Sequence, residues 1–367
     1  MAAVETFAVI GAGNGGKAAA ADLALQGKRV RLCEFPEFAA NVSGLGEPPV
    51  LHASGAIEGE ALLELATTDL ARAVEGADAV MACTQALAHE RVARELAPLV
   101  RPGQLVVLNP GSTGGALQLA HLWRSGGMRE LPVIAEFHTL TYGCRAKGAD
   151  VKVSLKVGRP VLYSTLPAGR LDEFAGALEA VFPSLERAAD VLEVGLNNAN
   201  PVIHPAITIL NASRIENEGG GMLFYADGMS EAAARLIRAV DAERMAILQA
   251  LGYPATPEPE RSVAQGYAAS TDYLECYRDG PAFATFAAPD TLDHRYLHED
   301  CGMGLVSFIS FGRLAGVPTP ACEAVVAMAS VLAGVDYLGE GRRTLDALGL
   351  GGLGAQSIKD YLRTGTI

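Results

Sequence analysis

No apolar run in the 367-residue chain approaches the roughly 18 residues that a membrane-spanning helix needs, because Gly, Asp or Arg interrupts each one first. Residues 1–5 lead straight into a strand pattern with no hydrophobic core of a signal sequence, so a cytoplasmic location is expected. Positive charge is scarce too. With 29 Lys and Arg against 42 Asp and Glu, the net charge is −13, which argues against a nucleic-acid partner because a phosphate backbone needs clustered cations. The six cysteines (Cys33, Cys83, Cys144, Cys276, Cys301, Cys322) show no C-x-x-C or other metal-like spacing, and are expected to be reduced and mostly buried. H-E-x-x-H is absent, since HEDCG at 298–302 lacks its second histidine, and no metal is expected. No repeat occurs at solenoid periods. The length instead suits two domains, each with chain enough to bury a core.

The N-terminal stretch TFAVIGAGNGGKAAAADLALQGKRVRLCE carries an apolar strand, the glycines Gly11, Gly13 and Gly16, an alanine-rich helix, and a second strand ending at Glu34. Each part has a use in binding a dinucleotide. Gly11 permits a tight turn, Gly13 lets backbone approach a pyrophosphate, and Gly16 allows close helix-to-strand packing. The helix start at Asn14 offers free N–H groups and the positive end of a dipole. A carboxylate at Glu34 would accept from the adenosine ribose hydroxyls and repel a 2′-phosphate, which favours NAD and leaves NADP as the alternative. Arg29 and Arg31 could wrap such a phosphate, although the solvated face of the second strand is the commoner place for them.

Strands then alternate with helices through 63–84 and 95–112, which predicts a parallel, doubly wound sheet. Ligands bind such sheets beyond the carboxyl ends of strands, so the turns at Cys83-Thr84-Gln85 and Asn109–Thr113, including Ser112, are candidate nicotinamide or substrate contacts; ordinary strand-to-helix caps are an equal reading. Residues 132–168 have no helical period and predict added antiparallel or mixed strands. Their polar group includes His138, Thr139 and Cys144. His138 is a second catalytic candidate, against the commoner role of a satisfied structural histidine. A helix and a strand close this domain near residue 190. The fold expected is an N-terminal Rossmann α/β domain over 1–190, a doubly wound parallel sheet with added antiparallel strands, and an all-α C-terminal domain over 191–367.

From Asn197 the apolar spacing turns helical. NPVIHPA at 200–206 holds His204 between Pro201 and Pro205, which predicts that the ring sits at a helix mouth rather than inside a helix. DHRYLHEDCGMGLVSF gathers Asp293, His294, Arg295, His298, Glu299 and Asp300 directly before an apolar helix. Glu299 reads as acidic capping on a solvated helix start. For the other two, chemistry is the better reading: Asp300 would orient an imidazole and raise its basicity, and the planar guanidinium of Arg295 would clamp a carboxylate through two bonds.

Across VIGAGNGG, NPGSTGGA, AEFHTLTYGCR, NPVIHPAITILNASRIE and YLHEDCGMGLVSF, the chain resembles the opine dehydrogenases, the octopine and nopaline dehydrogenase type. The resemblance implies a catalytic His204–Asp300 pair, a keto-acid-binding Arg295, and an amine pocket that Thr139 and Cys144 would help to line. It implies NAD(P)-dependent reductive condensation of an amino acid with an α-keto acid such as pyruvate. A homodimer through the helical domain is a further expectation. Two rivals share the nucleotide fingerprint. A ketopantoate-type reductase would be expected to place a catalytic lysine near the domain junction, yet the sequence has none between Lys156 and Lys359. A non-enzymatic NAD-binding regulator would lack the polar constellation around His204.

Overall fold

The computed structural model describes residues 4–366. By their contacts these divide into two compact units, the first running to Val194 and regaining the segment from Tyr361 on, the second spanning Gly195–Asp360. The sequence places the boundary near 190 and leaves the C-terminus in the helical domain. The terminal turn joins the first unit instead because Leu362 is fully buried there and Arg124 donates to the Tyr361 hydroxyl at 2.7 Å.

The first unit is built on β1 (Thr6–Ile10), β2 (Arg29–Cys33), β3 (Val50–Gly55), β4 (Gly59–Leu62), β5 (Leu65–Thr67), β6 (Ala79–Ala82), β7 (Leu105–Leu108), β8 (Val133–Phe137), β9 (Tyr142–Lys147), β10 (Asp150–Lys156), β11 (Val161–Leu166) and β12 (Leu185–Arg187). Eight of them form one sheet in the order β12-β11-β8-β7-β6-β1-β2-β5. Every pairing in it is parallel except β11 with β8. β1, β6, β7 and β8 are buried along their whole length, as strands covered on both faces must be; β6 and β7 are apolar throughout, while β1 opens on Thr6 and β8 carries Glu136. The chain winds outward from β1 in both directions. The crevice between the carboxyl ends of β1 and β6 is therefore the topological switch point where such sheets take a ligand.

The sequence predicts that the strands of 132–168 extend the main sheet; β9 and β10 instead join β3 and β4 in a second sheet, β4-β3-β10-β9. It explains the composition of the Asn14–Leu25 helix, which is buried from Gly16 to Leu23, including Lys17 and Asp22. A helix covered on opposite sides has no wet face, so alanine predominates, and each buried polar side chain needs its own partner. Lys17 Nζ donates to the Gly148 carbonyl at 2.6 Å, and Asp22 accepts from the Tyr142 hydroxyl at 2.7 Å and pairs with Lys156 at 2.8 Å.

The second unit is helical, apart from an isolated bridge between Leu223 and Ala287. Its interior holds a charged cluster: Arg244 and Asp241 are both fully buried and paired at 2.6 Å, Tyr273 donates to Asp241 at 2.6 Å, and Tyr277 donates to Glu258. Burial pushes the Glu258 carboxyl up to about 7. No helix among the described residues is long and apolar enough to cross a membrane, and none of the six cysteines is in a disulfide.

Candidate active site

His204 lies in the helix Asn200–Leu210, a full turn beyond its start, with Pro205 following it inside the helix. This corrects the helix-mouth expectation. Pro201 falls where a helix has no use for the backbone N–H, and Pro205 forfeits only one intrahelical bond, so the helix continues through both. The ring is fixed on three sides. Nδ1 lies 2.8 Å from Asp300 Oδ2, Nε2 lies 2.9 Å from the Tyr225 hydroxyl, and Tyr296 stacks on its face at 4.1 Å.

Asp300 reaches it from a π-helical segment, Asp300–Leu305, inserted between the short helix Arg295–His298 and the helix Val306–Ala315. Such insertions recur where a helix must re-aim side chains. The approach to the His204 helix is close enough that a Cβ at Gly304 would fall 2.2 Å from Pro201 Cγ. Only glycine allows the segment to lie there. Tyr225 is held by a strand-like pairing, in which the Phe224 N–H donates to the Phe286 carbonyl at 2.7 Å, and by the rings of Phe283 at 4.6 Å and Phe224 at 5.0 Å. Neither Tyr225 nor Tyr296 was singled out in the sequence, where isolated tyrosines far from a histidine carry no signal.

Arg295 precedes Asp300 by about one helical turn. Burial works against its charge, but Glu299 and Asp300 outweigh that and hold the guanidinium firmly protonated. Its Nε and the second oxygen of Asp300 are buried without a hydrogen-bond partner, so a cation and an anion each keep an unused bonding direction in the same place. Glu299, expected on a solvated start, is only 3% exposed; it faces back toward Arg295 at 3.4 Å where the short helix passes into the π segment. His298 pairs instead with Asp293 at 2.8 Å and with the Tyr337 hydroxyl at 2.8 Å. His294 caps the Arg295–His298 helix and packs edge-on against Tyr296.

In the first unit, the turn after β1 has the form a dinucleotide needs. Gly11 has φ +94°, and a Cβ at Gly16 would fall 1.6 Å from the Gly11 carbonyl oxygen, whereas a Cβ at Gly13 would meet nothing within 4 Å. The turn is thus packed below and open above. Glu34, at the end of β2, accepts from the Ala12 N–H and the Phe35 N–H at 2.9 Å each and from Asn41 at 3.0 Å, which leaves a carboxylate lone pair for a ribose. Thr84, beside Gly11, has a buried hydroxyl with no hydrogen-bond partner. Ser112 adopts φ +55°, a conformation that non-glycine residues hold mainly where surrounding structure enforces it. Arg31 is occupied by Glu64 at 2.7 Å and so is not held in reserve for a phosphate; Arg29 lies on the exposed face of β2.

The side-chain Oδ1 of Asn14 accepts from the Ala146 N–H of β9 at 2.8 Å, so Asn14 is left to meet a dinucleotide through its backbone N–H at the helix start. Thr139 lies in the loop before β9, next to Leu140, which abuts Gly15. Cys144, on β9, is buried and its thiol is pushed up to about 11 by that burial; burial first, and Cys144 second, also push up the thiol of Cys83. Both positions therefore lie beside the nucleotide turn. His138 is 2% exposed and accepts from the Leu162 N–H at 2.9 Å, a structural contact.

Residues 187–333 match the family described as NAD/NADP octopine/nopaline dehydrogenase, alpha-helical domain. An opine dehydrogenase of Arthrobacter sp. (strain 1C) is 35% identical over 358 residues, covering 97% of this chain and 98% of that one. Vitopine synthase of Allorhizobium ampelinum is 28% identical over 80% of each chain. Among solved structures, octopine dehydrogenase in complex with NADH and agmatine superposes with a TM-score of 0.77 at 22% identity, covering 99% of this chain and 98% of that one. A ketopantoate reductase from Ralstonia eutropha shares the fold more distantly, with a TM-score of 0.59. The chain belongs to the opine dehydrogenase family, NAD(P)-dependent oxidoreductases acting on the CH–NH group of donors.

Proposed function

We propose that this enzyme condenses an α-amino acid with an α-keto acid such as pyruvate and reduces the resulting imine to a secondary amine dicarboxylate, with NADH preferred over NADPH. The observation that carries the reading is the His204–Asp300 pair at 2.8 Å with the unused Nε of Arg295 beside it. An amino acid arrives at neutral pH as an ammonium and cannot attack a carbonyl until it loses a proton, which calls for a base near neutrality. His204 takes that proton. Asp300 accepts from Nδ1 and stabilises the imidazolium, as the acid of a hydrolase triad does. The same proton then returns to the hydroxyl of the carbinolamine as it departs. Arg295 clamps the keto-acid carboxylate, and Thr139 and Cys144 line the amine pocket. Gly11, Gly13, Asn14, Gly16, Glu34, Thr84 and Ser112 would hold the dinucleotide, which would supply the hydride that reduces the imine.

The test is NADH oxidation with pyruvate in the presence and absence of a panel of amino acids, with product masses measured. Turnover that requires the amine, and a product joining both carbon skeletons, is expected. Reduction of pyruvate alone would place the enzyme among simple keto-acid reductases and remove the condensation.

A further inference from the structure

We propose that Tyr225 is a catalytic residue of the acid–base step, the hydroxyl through which a proton passes between the substrate nitrogen and His204. The inference rests on His204 being the base, and it begins from a difficulty. Both ring nitrogens are occupied: Nδ1 by Asp300 at 2.8 Å and Nε2 by the Tyr225 hydroxyl at 2.9 Å. An ionised carboxylate only accepts, so Nδ1 carries the hydrogen, the neutral ring has its lone pair on Nε2, and the phenol donates to it. A proton bound for His204 must therefore either displace Tyr225 or travel through it.

Displacement is the costly course. The Tyr225 ring is wedged among Phe283 at 4.6 Å, Phe224 at 5.0 Å, Phe286 at 5.9 Å and Tyr277 at 6.5 Å, and its residue is 5% exposed. Its backbone is tied as well, since the Met229 N–H donates to the Tyr225 carbonyl at 3.0 Å. Swinging the ring out would open a cavity that close packing penalises by a few kcal/mol. Transfer through the hydroxyl needs no such movement. The substrate ammonium breaks one N–H bond as its hydrogen forms a bond to the Tyr225 oxygen, while the phenolic hydrogen leaves that oxygen for Nε2. The net change is ammonium to amine and imidazole to imidazolium, with Tyr225 unchanged. In the dehydration step the imidazolium gives its Nε2 hydrogen to the Tyr225 oxygen while the phenolic hydrogen passes to the carbinolamine hydroxyl, which leaves as water as its C–O bond breaks.

The charged and titratable groups around the pair agree with this. Asp300 faces Nδ1, Tyr296 covers the ring face, and His294 and Arg295 adjoin Tyr296. Glu258 acts on the phenol from behind, and burial, reinforced by Tyr296 and Glu258, holds Tyr225 well above its usual pKa. A phenol so held never stores the charge. It can only exchange one hydrogen for another, as a relay requires.

The experiment is Tyr225→Phe, which keeps the ring and removes the hydroxyl, compared with His204→Ala. The expected result is a kcat reduced by at least about tenfold, toward the range lost with a general acid or base, with Tm and NADH affinity close to the parent. In mixed light and heavy water, a bowed dependence of kcat on deuterium content in the parent should become linear in the variant. A loss smaller than about tenfold overturns the proposal. Should Tyr225→Phe fail to fold, 3-fluorotyrosine at position 225 retains the packing and acidifies the phenol. The relay then requires a changed kcat, because the acidity of the phenol sets how readily it passes its hydrogen, and a kcat identical to the parent overturns it. An active His204→Ala variant would instead sink the reading of His204 as base, whereas an inactive one beside a fully active Tyr225→Phe sinks the relay alone.

Discussion

Gly304→Ala tests whether the geometry of the His204–Asp300 pair depends on one close contact. The added Cβ would stand 2.2 Å from Pro201 Cγ and 2.7 Å from Pro201 Cβ, and a proline ring cannot swing aside as a long side chain can. Ordinary contact begins near 3.4 Å, so the π-helical segment and the Asn200–Leu210 helix must part by about 3.4 − 2.2, or 1.2 Å. Carried in full along the 2.8 Å bond between His204 and Asp300, that displacement gives about 4.0 Å, beyond hydrogen-bond range. Overpacking of this kind costs about 1–3 kcal/mol, partly offset by about 0.4–1 kcal/mol from the stiffer unfolded chain. The net, about 1–2 kcal/mol, corresponds to a Tm lower by about 2–8 °C. Because a misplacement of about 1 Å can cost a hundredfold in rate, kcat should fall by about that factor while NADH affinity holds. Thermal unfolding and steady-state NADH oxidation read the two effects. A variant with parental Tm and kcat would refute the argument that Pro201 and Gly304 set the separation of the pair.

Three other outcomes are expected. Arg295→Lys should raise the keto-acid KM by about tenfold or more with a smaller change in the KM of the amine, because an ammonium cannot reproduce a two-pronged fork; equal changes in both would refute the clamp. Glu34→Ala should weaken NADH more than NADPH, since it removes the ribose acceptor and with it the charge that opposes a 2′-phosphate; the ratio of the two dissociation constants is the readout. Glu258 should make the native state less stable as pH rises. Its folded pKa, about 7, lies above the unfolded value, so the folded protein binds the extra proton, and this contribution is complete below the unfolded pKa and lost as pH passes through about 7. Glu258→Gln should flatten the fall in Tm between about pH 5 and about pH 8, and a slope equal to the parent's would refute it.

The centre of the sheet was legible because β6 and β7 are buried on both faces, and such burial writes an unbroken apolar run that needs no knowledge of partners. β1, β6 and β7 could be placed to within a residue or two on that basis. The second sheet was not legible as a layer. β3 and β4 fall between β2 and β5 in sequence, while β9 and β10 follow β8, and nothing in either stretch states that β3 pairs with β10 across nearly a hundred residues. One local trace exists. A helix reading NGGKAAAADLAL has no polar face, and a helix with no wet side from Gly16 to Leu23 implies a second layer over it.

The site divides along the same line. His204 and Asp300 could be named because each stands in a stretch whose composition departs from its surroundings, a histidine between prolines and a knot of charge before an apolar helix. Their mutual geometry, however, is set by an absence, the missing side chain of Gly304, which alone lets the π-helical segment approach Pro201. Tyr225 was invisible for a related reason. It is one of 10 tyrosines, and its hydroxyl acquires meaning only when folding brings it to the one imidazole nitrogen that Asp300 leaves open. A donor aimed at the lone pair of a proposed base is not neutral packing. It either blocks the base or carries its proton, and a ring clamped by four aromatic neighbours cannot be cleared from the path at every turnover without repeated cost.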